Sequence, residues 1–95
     1  MLIPSNLKRA MEKNGFTPVR LDAVALYEAG KTYWCGYWGK WYCVLRVVYD
    51  QYYSRLVLKS CTVLWEDGEI TTHCTPLDPR VDYMLIGGES IKATV

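Results

Sequence analysis

The sequence predicts a mainly β domain of α+β type, with one N-terminal helix, and three observations carry that reading. From Lys31 onward, short runs rich in Val, Tyr, Trp, Thr and Leu alternate with polar or glycine-bearing turns. Asp67-Gly68 supplies the left-handed residues that a tight hairpin demands. Near the start, one stretch places apolar residues at helical spacing. With 95 residues the chain is a single domain over 1–95, small enough that every large apolar side chain matters to its stability.

The helix comes first. Ser5 or Asn6 can cap it, and Leu7, Ala10 and Met11 then fall on one face. Lys8, Arg9, Glu12 and Lys13 cover the other side, and Asn14-Gly15 stops it, giving a helix over residues 5–14. Residues 16–26 leave two readings open. Thr17-Pro18 and the alternation of Val19 and Leu21 with Arg20 and Asp22 favour extended chain, whereas residues 22–29 also read as a turn or two of helix ended by Gly30.

Strands are expected over residues 32–35, 41–49, 56–59, 62–65 and 70–73. The connections are Gly36-Tyr37-Trp38-Gly39-Lys40, Asp50-Gln51-Tyr52-Tyr53-Ser54 and Glu66-Asp67-Gly68-Glu69. Pro76-Leu77-Asp78-Pro79 forces an irregular turn, after which residues 81–86 run as a last strand. Gly87-Gly88 closes the compact part and leaves a flexible tail over residues 87–95.

Short antiparallel strands in succession suit a small closed barrel of about five strands over residues 31–86, because closure removes exposed edges. Gly30-Lys31-Thr32-Tyr33, the run from Thr62 to Gly68, and Pro76-Leu77-Asp78 before the last strand resemble an SH3-like barrel of the Tudor or KOW type. The resemblance is one of fold and identifies no specific family. It implies a domain that binds peptides, modified side chains or nucleic acid, since few such barrels are enzymes.

Charge narrows the partner classes. The net charge of +1 offers no strong field towards nucleic acid, but its distribution is uneven. Residues 1–60 hold nine Lys/Arg against four Asp/Glu, and residues 61–95 hold two against six, so the two halves are expected to pair across neighbouring strands. The opening Met1-Leu2-Ile3 runs straight into Pro4 and polar residues, with neither a signal-peptide core nor a membrane span. The expected location is cytoplasmic, and the four cysteines are then expected to be free thiols.

Aromatic residues are the chain's distinguishing feature: eight Tyr, four Trp and one Phe, ten of them between Tyr33 and Trp65. Side chains on a strand alternate faces, so Tyr33 and Trp34 point apart, and so do Trp41 and Tyr42. At least two large rings therefore reach the outer face, where either the N-terminal helix or the tail covers them or they form an exposed recognition patch. Tyr37 and Trp38 sit at a turn tip, and Tyr52 and Tyr53 in the next loop add to the patch if a barrel gathers its loops at one end. The candidate binding residues are thus Trp34, Tyr37, Trp38, Trp41, Tyr42, Tyr52 and Tyr53, with Arg46 and Arg55 beside them. On simple alternation Arg46 shares a face with Tyr42 and Val44.

Protein is the expected partner class, because apolar character exceeds charge. The alternative is a single-stranded nucleic acid held by Lys31, Lys40, Arg46, Arg55 and Lys59 among stacking rings. A homo-oligomer formed through the aromatic face is a further option. Chemistry of other kinds finds little support. Seven, seventeen and twelve residues separate Cys35, Cys43, Cys61 and Cys74, and no Cys-x-x-Cys knuckle is present, so neither metal nor cofactor is expected. A two-residue Asp67-Gly68 turn puts Cys61 opposite Cys74, whereas a three-residue turn separates them. His73 and Cys74 are strand neighbours and point apart, which argues against a catalytic Cys–His dyad. The expectation is a non-catalytic binding module, of a kind that fits an accessory or inhibitor protein of a phage or mobile element.

Overall fold

A computed structural model describes residues 5–87. Helix α1 (Ser5–Asn14) precedes six strands: β1 (Phe16–Arg20), β2 (Thr32–Cys35), β3 (Lys40–Tyr52), β4 (Arg55–Trp65), β5 (Ile70–His73) and β6 (Tyr83–Gly87). They form one antiparallel sheet in the order β1-β6-β2-β3-β4-β5. Strands β2 to β5 are consecutive hairpins, and β6 returns to lie between β1 and β2. The mainly β reading with one short helix therefore stands. Barrel closure is not found: among the described residues β1 pairs only with β6 and β5 only with β4.

Other elements cover both faces of the open sheet. On one face, α1 lays Leu7, Ala10 and Met11 over Phe16, Trp34, Tyr83, Leu85 and Trp41. The helix ends as its sequence demands: Gly15 takes φ 74° and its N–H bonds the Met11 carbonyl at 2.8 Å. On the other face, Tyr33, Tyr42, Val44, Cys61 and Val63 pack against Leu21, Tyr27 and Leu77, which come from the two long connections. Each buried residue of this size contributes about 1.5–3 kcal/mol. The opposed ring pairs Tyr33–Tyr42 and Trp34–Trp41 point to opposite faces, so the second small core under the helix is the alternative that the fold adopts.

Tyrosine hydroxyls fasten the connection between β1 and β2. Tyr49 Oη accepts the Tyr27 N–H at 2.6 Å and donates to the Tyr27 carbonyl at 3.2 Å. Tyr33 Oη accepts the Glu28 N–H at 3.1 Å, and the buried Tyr27 and Tyr42 hydroxyls meet at 3.1 Å. Burial pushes Tyr33 up to about 12 and raises Tyr27 and Tyr42 further, so all three stay neutral.

Elsewhere the structure decides or revises the sequence readings. Residues 16–20 are a strand, and no helix forms after Asp22, whose carboxylate accepts the Val24 N–H at 3.1 Å. The runs expected at 56–59 and 62–65 are one strand, and β3 continues through Tyr52. The expected tail beyond Gly87 and residues 1–4 lie outside the described residues.

Candidate recognition surfaces

The two exposed aromatic pairs occupy opposite ends of the sheet. The turn between β2 and β3 carries Tyr37 and Trp38, and the turn between β3 and β4 carries Tyr53, with Tyr52 beside it. Strand β3, thirteen residues long, separates them by about 40 Å at ~3.3 Å per residue, close to the molecule's longest extent of 42 Å. An open sheet does not gather its loops as a barrel would, so the single patch expected from sequence is two surfaces.

At the first end, Gly36 and Gly39 shape the turn. A Cβ on Gly36 would collide with the Val81 carbonyl oxygen, and the Gly36 N–H donates to Asp82 Oδ1 at 3.1 Å. Asp82 Oδ2 also accepts the Asp78 N–H at 3.0 Å, which ties two turns to one carboxylate whose pKa burial raises. Tyr37 is 86% exposed and Trp38 68%. Beside them lies an open cleft of about 420 Å³ lined by Trp38, Lys40, Trp65, Glu69, Thr71, His73 and Thr75. Trp65 is held there by its Nε1–H bond to Thr71 Oγ1 at 2.7 Å and by Lys40 Nζ, 5.1 Å from the ring centre.

At the second end, residues 45–60 run past the neighbouring strands as a two-stranded arm, whose Val47, Tyr49 and Leu58 still pack against the core. Strand β2 pairs with β3 only through Cys43, and β5 pairs with β4 only from Cys61 onward. The arm closes on a two-residue loop, Tyr53-Ser54, in which Tyr53 has φ 55° and is the one non-glycine residue with positive φ among the described residues. Positive φ at the first loop position alone marks a type II′ turn, where glycine is the usual residue. Tyr53 is 86% exposed and stacks edge-on with Tyr52 at 4.5 Å. Leu56 and Val57 are also exposed. Along the arm, Leu56, Leu58 and Tyr49 join Ala25, Leu26 and Leu77 around an apolar groove of about 280 Å³.

The sequence-predicted residues divide sharply between these settings. Tyr37, Trp38, Tyr52, Tyr53, Arg46 and Arg55 are exposed. Trp34 and Tyr42 are corrections: each is 2% exposed and has no ring surface to offer a partner. Trp41 is half-buried, edge-on to Phe16 at 6.0 Å beneath the helix. Arg46 reaches solvent by a different route from the one expected. An extra residue, Leu45, interrupts the ladder, so Val44 faces Val63 while Arg46 faces Thr62, on the opposite side of the sheet. Sequence reasoning passed over Leu26, Leu56 and Val57. The available signal was the adjacent pair Leu56-Val57, whose side chains cannot both enter one core.

The hairpin between β4 and β5 resolves the cysteine register. The Trp65 N–H bonds the Glu69 carbonyl at 2.8 Å around the three residues Glu66-Asp67-Gly68, with Gly68 at φ 89°. Cys61 therefore faces His73, and Cys74 lies beyond the pair. Burial pushes the Cys61 thiol up to about 11 and lowers the His73 pKa, which leaves a neutral thiol beside a neutral imidazole. Cys35 and Cys43 sit out of register across their hairpin, opposite Lys40 and Thr32.

Electrostatically the two halves meet little. The ion pairs among the described residues are Lys40–Asp67 at 3.4 Å and Arg80–Asp78 at 3.0 Å, and only the first joins the basic half to the acidic half. Arg46, Arg55 and Lys59 on the arm have no ion-pair partner among the described residues. No helix among them is long and apolar enough to cross a membrane. No protein-family model, curated protein or solved structure matches the chain.

Proposed function

We propose that the chain is a non-catalytic recognition module that binds a protein through the arm formed by β3 and β4. The observation that carries this reading is the arm itself. It extends past its neighbours and displays Tyr52, Tyr53, Leu56 and Val57, side chains that stabilise the fold little where they stand. Exposed aromatic and aliphatic groups on a projecting element are the kind of anchors that supply most of an interface's energy. The SH3-like resemblance enters as an analogy only: a small β domain that presents side chains to a partner. A role as an accessory or inhibitor protein of a phage or mobile element, acting in the cytoplasm, fits the same surface.

A second reading has its own observation. Arg46, Arg55 and Lys59 lie on the same arm as two exposed tyrosines, which is the mixture that single-strand binders use for phosphates and bases. One experiment separates the readings. A photo-crosslinking residue at position 53 or 37 is irradiated in the native host, and the adducts are treated with nuclease or protease. The proposal expects a nuclease-resistant adduct from position 53 in which the added mass is a polypeptide. A nuclease-sensitive adduct moves the assignment to nucleic acid, and an adduct from position 37 alone moves the surface to the other end of the sheet.

A further inference from the structure

We infer that the groove beside the arm receives an extended, acidic-flanked aliphatic peptide that adds a strand to the free edge of β4. The inference deepens the protein-binding reading above and rests on it.

Backbone geometry supplies the first part. In a two-residue hairpin the closing pair, here Tyr52 and Arg55, exchanges both of its hydrogen bonds. Alternation along the ladder then turns the N–H and C=O groups of Leu56 and Leu58 outward. Strand β5 stops short of them, since its pairing ends at Cys61 opposite His73. The chain beyond β5 passes across the face of the sheet, where Leu77 is buried and Cys74 and Pro76 line the groove, and among the described residues no backbone hydrogen bond joins it to Leu56 or Leu58. An unpaired edge of this kind is a template for an added strand.

The groove supplies the second part. An added strand sends alternate side chains towards the face where Leu58 packs near Tyr49, and that face opens into the cavity among Leu26, Leu56, Leu58 and Leu77. The lining is aliphatic and aromatic apart from Arg55 and the exposed Cys74, so it suits branched aliphatic side chains.

Charge selects the occupant. Arg55 and Lys59 bracket the free edge with no acidic partner among the described residues. Antiparallel pairing of two copies about Val57 would set Arg55 of one against Lys59 of the other, twice over. Like charges directly opposite on neighbouring strands are destabilising, so a second copy is disfavoured and a peptide with carboxylates at both ends is favoured.

Three capped peptides test this against the intact chain: alternating isoleucine and threonine with glutamate at each end, the same core with lysine at each end, and the glutamate form with proline at alternate positions. Affinity is read by fluorescence anisotropy, and the contact by shifts of the Leu56 and Leu58 amide resonances. The glutamate peptide should bind about tenfold tighter than the lysine peptide, the proline peptide should not bind, and the Leu56 and Leu58 amides should move. Leu26→Glu should abolish binding with melting unchanged, since Leu26 is 47% exposed. Equal affinity for the three peptides, or shifts confined to Tyr37 and Trp38, overturns the inference. So does a dimer in sedimentation with the Leu56 and Leu58 amides protected, which makes a second copy the occupant. If the peptides fail while the position-53 crosslink to protein persists, the groove assignment falls and the arm reading stands.

Discussion

Replacing Tyr53 by glycine should make the domain more stable while weakening its hold on a partner. Tyr53 stands at φ 55° at the first position of a two-residue turn, a conformation that costs a side-chain-bearing residue about 1–3 kcal/mol. Glycine removes that strain and loses about 0.5–1 kcal/mol through the freedom of its unfolded chain. The ring's edge contact with Tyr52, 4.5 Å between centres, is worth about 0.5 kcal/mol in solvent. The hydrogen bond from Gln51 Nε2 to the Tyr53 carbonyl, at 3.0 Å, involves backbone and survives. The net expectation is a gain of about 0.5–1 kcal/mol, or a rise in Tm of roughly 5 °C for a domain of this size. Urea unfolding and a thermal melt measure it directly. A Tm lowered by a similar amount would refute the reasoning, because the ring would then be holding the arm together rather than standing idle in the fold.

Three further outcomes follow from the same geometry. Trp34→Ala should destabilise by about 3–5 kcal/mol and Trp38→Ala by almost nothing in the same denaturation assay. Trp34→Phe should cost much less than the alanine change, because it leaves a smaller cavity while still removing a buried indole N–H that has no hydrogen-bond partner among the described residues, a burden of about 1–3 kcal/mol. Gly36→Ala should cost about 1–3 kcal/mol in urea unfolding by driving the turn off the Val81 carbonyl. In alkali, Tyr27, Tyr33 and Tyr42 hold their protons in the fold beyond the point at which the unfolded chain releases them. Their stability is therefore fully present below pH 10.0, the unfolded value, and is lost as pH rises through about 12, where Tyr33 titrates. Tyrosinate absorbance of those rings should rise together with loss of circular dichroism, whereas a rise ahead of unfolding would mean that the hydroxyl network is open to water.

Local rules carried the sequence reading a long way. Helix α1, its Gly15 stop and the hairpin at Asp67-Gly68 depend on neighbours in sequence, and each was legible. Alternation likewise separated Tyr33 and Tyr42 from Trp34 and Trp41, but could not say whether the helix covers the tryptophans, which requires its docking on Phe16 and Tyr83. The position of β6 between β1 and β2 is a pairing of residues far apart in the chain, for which periodicity carries no signal. The inserted Leu45 breaks a period of two, and every face assigned beyond it by counting is reversed, Arg46 included. The arm was missed for a related reason. Strands expected over 56–59 and 62–65 leave a break at Ser60-Cys61, yet the chain runs through as one strand with Lys59 as an extra residue in its ladder, so the length of β4 and the exposure of Leu56 and Val57 emerge only with its partner strand in place.

That the exposed side chains at the end of the arm bind a partner and contribute little to the fold is tested by one paired measurement. The protein partner captured from the native host is titrated against the wild-type chain and against the Tyr52→Ala, Tyr53→Ala double variant, each with its own thermal melt. At least about a thirtyfold loss of affinity is expected for removal of anchors worth about 2 kcal/mol or more, with Tm lowered by no more than a few degrees, the share of the lost Tyr52–Tyr53 ring contact. Unchanged affinity with an unchanged melt, or loss of affinity only in step with unfolding, would contradict it.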